Sequence, residues 1–142
     1  MKVVVNVDSE LNMPRRNGVM WDLATSKDVQ IEEGKVQVIP LGIRMKLPEG
    51  YFGLLVPRSS ACLKHGIIMS NSVGIVENDY CGQDDVWGFP AYAIRDTYIK
   101  TGTRIAQFML VKYPESLEFN KCDSMNFENR GGFGSTGEDN FN

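Results

Sequence analysis

Histidine and cysteine are scarce in this 142-residue chain, and their scarcity removes several chemistries at once. His65 is the single histidine. A multi-histidine metal site is therefore unavailable, and a Ser–His relay would have to rest on that one imidazole. Cys62, Cys81 and Cys122 are scattered, odd in number and without a Cys-x-x-Cys pair. Neither a disulfide framework nor a zinc site is expected, and a reducing cytoplasm is the expected compartment. No apolar run reaches membrane-spanning length, and residues 1–7 have no signal-peptide core or small-residue cleavage site. Basic residues are not in excess either: 15 Lys and Arg stand against 18 Asp and Glu, a net charge of −3. Nucleic-acid backbones demand a surplus of cations, so a nucleic-acid partner is not expected. Any phosphorylated ligand would be small, held by a few placed cations and a metal ion.

What remains is one domain's worth of chain, 42% hydrophobic and able to bury a core. Short Val- and Ile-rich segments recur between turn signals. They predict strands at residues 2–7, 29–31, 36–40, 42–47, 51–56, 66–70, 97–100, 104–111 and 117–119. Residues 11–17, with Pro14, Arg15, Arg16 and Asn17, read as loop. Pro90 predicts an edge strand or a bulge. Only residues 61–64 offer a helix. This pattern is that of an all-β sandwich or barrel.

Four stretches carry candidate chemistry. Residues 71–83 open with Asn71, run through the apolar Val73, Ile75 and Val76, and then present Glu77, Asp79 and Tyr80 before Gly82. Such a hairpin offers an amide, a carboxylate and a ring to one small space; it serves equally as an ordinary polar hairpin. Asp22 interrupts an apolar run, where a charge needs a partner or a task. Pro57-Arg58-Ser59-Ser60 precedes the one helix candidate and suits either an anion or a plain cap. The tail from Asn126 is rich in glycine. Its Arg130, Phe133, Ser135 and Thr136 would suit wrapping a phosphate chain, though the composition is also that of a plain polar terminus.

Taken together, these stretches resemble the trimeric deoxyuridine triphosphate pyrophosphatase (dUTPase) family, in its Bacillus and phage branch. Five motifs match in order: Met20-Trp21-Asp22-Leu23-Ala24; Pro57-Arg58-Ser59-Ser60; residues 74–82 from Gly74 to Gly82; Gly102-Thr103-Arg104-Ile105-Ala106-Gln107; and residues 130–137 from Arg130 to Gly137. The resemblance implies a jelly-roll β-sandwich at residues 1–125, assembled as a homotrimer with shared sites. Residues 126–142 would form a flexible arm closing over the ligand. It implies hydrolysis of dUTP to dUMP and pyrophosphate by water attack on the α-phosphorus, with Mg2+ as cofactor.

By the same resemblance, Glu77 would activate the water. Asn71 would read uracil, and Tyr80 would pack on the deoxyribose. Arg58, Ser59, Ser60 and Gln107 would hold phosphates, and Asp22 would reach the magnesium ion through water. Phe133 would cover the base, while Arg130, Ser135 and Thr136 would grip the terminal phosphates. Two positions depart from the family's pattern. Glu77 stands where the family usually has Asp, and the extra methylene predicts slow turnover. Arg130 also lies closer to Phe133 than is common. Two other readings fit the residues: a dCTP deaminase-like enzyme, and a non-catalytic binder that switches a protein partner when nucleotide binds. Trp87 and Phe89 are expected to fill the sandwich or a subunit interface rather than form a lid.

Overall fold

The computed structural model describes residues 1–134. Twelve strands dominate it: β1 (Val4–Val7), β2 (Arg15–Asn17), β3 (Met20–Ala24), β4 (Val29–Ile31), β5 (Val36–Pro40), β6 (Ile43–Lys46), β7 (Tyr51–Pro57), β8 (Ile67–Met69), β9 (Gly74–Val76), β10 (Gly88–Ala93), β11 (Thr97–Ile99) and β12 (Arg104–Lys112). One short helix, α1 (Ser60–His65), and a single 3₁₀ turn at Glu10–Asn12 complete the described elements.

The pairing explains the shape. β3 pairs with β12, β4 with β11 and β5 with β10, all antiparallel. These nested pairs make the chain one long hairpin folded over on itself, which is the jelly-roll arrangement. Around them lie a five-stranded sheet in the order β2-β3-β12-β7-β9, a three-stranded sheet β5-β10-β8, and the ribbons β1-β6 and β4-β11. Alternating side chains from all four pieces meet in one core, including Leu23, Ile39, Ile43, Leu55, Trp87 and Phe89. Trp87 and Phe89 are buried, so they fill the sandwich and form no lid. Their indole and phenyl bulk is what closes the gap between sheets.

Three segments differ from the sequence expectation. Residues 15–17 form β2 and not loop; hairpin pairing to β3 overrides their polar composition. Pro90 sits in β10, the middle strand of its sheet. It is tolerated because its carbonyl and its missing N–H face the β8 side, where the ladder begins only at Ala91; there Pro90 O accepts from Ser70 N at 2.8 Å. Residues 117–119 form no strand, and Leu117 and Phe119 are exposed. No described strand pairs with them.

Candidate active site

Two clusters of polar side chains emerge, one set by turns around a short strand and one by sheet register. The first lies around β9. The tight turn between β8 and β9 carries Asn71, whose carbonyl accepts from Val73 N at 2.7 Å. Ser72 in that turn adopts φ +64, a left-handed conformation that costs a non-glycine residue roughly 1–2 kcal/mol. Beyond β9, Tyr80 N donates to Glu77 O at 3.1 Å and closes a second turn. The Tyr80 hydroxyl donates to Val86 O at 3.1 Å, which holds the half-exposed ring as a wall. Asn71, Glu77, Asp79 and Tyr80 thereby line one cleft of about 460 Å³, floored by Leu55, Trp87 and Pro90. Asn71, Glu77, Asp79 and Tyr80, singled out from sequence, are thus brought together, but residues 71–83 form no hairpin: β9 pairs with β7, and a turn lies on each side of it.

The second cluster lies on the five-stranded sheet. Arg15 and Gln107 are both cross-strand partners of Asp22, so the three share a face. Asp22 is only 3% exposed. Its Oδ2 accepts from Asn17 Nδ2 at 3.2 Å and faces Arg58 Nε at 3.4 Å. Its Oδ1 is buried and has no hydrogen-bond partner among the described residues. Gln107 Nε2 donates to Pro57 O at 3.2 Å. A register shift between Arg104 and Ala106 re-aims the start of β12. Arg104 Nη1 there donates to the Asp22 carbonyl at 3.2 Å, and Arg58 Nη1 to the Arg104 carbonyl at 3.4 Å.

Burial holds Arg104 below its ordinary pKa, and the neighbouring Arg15 pushes the same way. One guanidinium, that of Arg58, thus meets the Asp22 carboxylate, while Arg104 holds the Asp22 backbone carbonyl and Arg15 is the cross-strand partner of Asp22. That excess of fixed positive charge suits a polyphosphate, which guanidinium forks bind well. Arg15 and Arg104 were not among the site residues expected from sequence. Arg104 lies inside the fourth motif, but Arg15 becomes visible only through its register with Asp22.

Arg58 and Ser59 line a second cleft with Ser72, and it shares no lining residue with the first. Ser59 precedes α1 and makes no side-chain capping bond; Ser60 begins the helix and is half-buried. Arg130 is exposed, Phe133 is fully exposed, and neither lines these two clefts. Ser135 and Thr136 lie outside the described residues.

The donor set suits Mg2+ carried by a polyphosphate. Such an ion keeps several waters and takes one or two carboxylates plus phosphate oxygens, not a protein cage. The unpartnered Asp22 Oδ1 is an acceptor of that kind. Among the described residues no three His, Cys, Asp or Glu side chains cluster as a cage would require.

The family model described as dUTPase matches residues 9–137. The chain belongs to the dUTPase family. Within that family it is 45% identical over 116 residues to the SPbeta prophage-derived deoxyuridine 5'-triphosphate nucleotidohydrolase of Bacillus subtilis, covering 82% of each chain. Its fold is that of the dUTPase of Staphylococcus bacteriophage 80alpha, with a TM-score of 0.74 at 24% identity over 96% of this chain and 98% of that one. That phage protein is described as controlling transfer of virulence genes by a proto-oncogenic G protein-like mechanism. A dUTPase variant from phage phi11 of S. aureus matches with a TM-score of 0.74 at 21% identity, over 89% of this chain and 100% of that one; it is described as coordinating a structural Mg(II) ion. No helix among the described residues is long and apolar enough to cross a membrane.

Proposed function

We propose that this chain hydrolyses dUTP to dUMP and pyrophosphate as a homotrimer in the cytoplasm. The observation that carries the reading is the cleft in which Asn71, Glu77 and Tyr80 converge. Asn71 presents an amide donor and acceptor to the edge of uracil. Cytosine would leave those groups mismatched, and an unpaired buried polar group is what makes such a site selective. The Tyr80 ring, tied down through its hydroxyl, packs on deoxyribose and leaves no room for a 2′-hydroxyl.

Glu77 takes a proton from water as its oxygen bonds to the α-phosphorus. The bond from that phosphorus to the bridging oxygen breaks, and pyrophosphate leaves. Arg58, Ser59, Ser60 and Gln107 hold the phosphates, with Arg104 and Arg15 adding positive field behind them. Asp22 would hold the magnesium ion through its hydration water. When bound, that ion neutralises charge developing on the leaving group. Residues 126–142 act as an arm over the ligand: Phe133 covers the base, and Arg130, Ser135 and Thr136 grip the terminal phosphates.

Assembly is supported by an apolar groove lined by Met1, Val3, Val19, Trp21 and Met109, and by the exposed Leu117 and Phe119. Apolar surface of this kind is what a subunit interface would cover. Shared sites follow if one subunit supplies the base cleft and another the arginine cluster. A second reading, nucleotide-gated binding of a protein partner, draws on the description of the phage 80alpha relative.

Product analysis tests the proposal. The purified protein is incubated with Mg2+ and either dUTP or dCTP. Pyrophosphate and dUMP from dUTP alone are expected. Ammonia from dCTP would move the chain to the deaminase class, and dUTP binding without product would leave the gated binder.

A further inference from the structure

Glu77 lacks any fastening of its own. Its side chain is exposed and makes no hydrogen bond or ion pair among the described residues. The β7–β9 ladder ends one residue earlier, at the Gly53–Val76 pair. The position of the carboxylate therefore depends on what holds the chain just beyond the ladder.

Asn78 does so. Its Nδ2 donates to Leu47 O at 2.8 Å and to Pro48 O at 2.7 Å, and its Oδ1 accepts from Lys46 Nζ at 2.6 Å. A primary amide has two N–H donors and two acceptor lone pairs. Both donors and one lone pair are thus engaged. All three partners belong to the end of β6 and the connection into β7, the strand on which β9 is built. The amide sews the turn carrying Glu77 and Asp79 to the sheet. From sequence, Asn78 reads only as a turn residue. The far end of the same loop has a separate fastening, where Arg44 Nε donates to Gln83 O at 2.6 Å.

We infer that Asn78 is the positioning residue for Glu77, setting where its carboxylate meets the attacking water. The inference rests on the reading of Glu77 as the base. Misplacing a reacting group by ~1 Å costs on the order of a hundredfold in rate. A longer Glu in place of Asp raises the demand on the backbone that carries it.

The test is a double-mutant cycle on the full chain with dUTP and Mg2+, reading kcat and KM separately for wild type, Asn78→Ala, Glu77→Gln and the double variant. Asn78→Ala is expected to lower kcat by about a hundredfold with KM moved less than about threefold. In the Glu77→Gln background the same change is expected to cost nothing further. Asn78→Asp, which keeps the shape and the Lys46 partner but loses both donations, replaces Asn78→Ala if thermal unfolding shows that variant misfolded. Equal losses of kcat in both backgrounds, or a rise in KM alone, would overturn the positioning role and leave Glu77 as the base. Undiminished turnover in Glu77→Gln would overturn the base assignment and this inference with it.

Discussion

Gly53→Ala should destabilise this protein, and Trp87→Phe should reverse the sign of that effect. A Cβ built at Gly53 would lie 2.6 Å from Trp87 Cη2 and 3.3 and 3.4 Å from Cζ2 and Cζ3. Carbon atoms settle at about 3.5–4.0 Å, so the indole would have to retreat by about 1 Å. It has little room to do so. Trp87 is 1% exposed, and Phe108 meets it edge-on at a centroid distance of 5.3 Å. Overpacking of this kind costs about 1–3 kcal/mol. Removing a glycine from a strand returns about 0.5–1 kcal/mol. The expected net loss is about 1–2 kcal/mol, or a Tm lower by about 4–8 °C at this chain length.

In a Trp87→Phe background the benzo edge that clashes is gone. Gly53→Ala should then raise Tm by about 2–4 °C, because only the strand term remains. The assay is thermal unfolding of the four proteins at one fixed protein concentration, since association shifts Tm. Equal destabilisation in both backgrounds, or a rise in Tm in the wild-type background, would refute the packing argument. The same contact bears on the site: Gly53 pairs with Val76, and both Val76 and Trp87 line the base cleft.

Asn12→Ala should cost about 1–3 kcal/mol, read as a lower urea midpoint at unchanged slope. Its buried Nδ2 donates to Ala24 O at 3.0 Å and Leu41 O at 3.2 Å, and both carbonyls would lose that partner. His65→Gln should flatten the acid side of the stability profile. Burial lowers the His65 pKa, and Lys64, Arg58 and Arg95 add repulsion of the charged form. Above the unfolded pKa of about 6.5 the imidazole is neutral in both states and contributes nothing. As pH falls below that value the unfolded chain takes up a proton that the folded chain resists, so folding loses stability. The wild-type Tm should therefore drop more than the variant's between pH 7.5 and pH 5.5; equal drops would contradict the assignment.

Much of the sandwich was legible because its strands obey local rules. Residues 29–31 and 36–40 matched β4 and β5 residue for residue, since β-branched runs there end in turn residues on both sides. The helix was legible from the small polar residues before it, whereas Gly66, read as the start of a strand, instead caps α1 at φ +65. β2 was not legible. Pro14-Arg15-Arg16-Asn17 has the composition of a loop, and only pairing with β3 makes it a strand. Pro90 misled for a related reason. Proline forbids a hydrogen bond on one side of a strand, and sequence does not say where the neighbouring ladder begins.

The same division runs through the site. Asn71, Glu77 and Tyr80 are close in sequence, so a local pattern could bring them to one cleft. Asp22, Gln107 and Arg15 are far apart, and only the register of β2-β3-β12 sets them in a row. Sequence could say that a carboxylate in an apolar run needs a partner or a task. The fold supplies the partners: Asn17 and Arg58 engage Oδ2, while the buried Oδ1 stays unpartnered among the described residues. An unpaired buried acceptor costs about 1–3 kcal/mol, so Asp22 Oδ1 is held at a cost to stability. The proposed water-mediated hold on a magnesium ion would offset that cost, with Arg58 Nε beside the other oxygen of the same carboxylate at 3.4 Å.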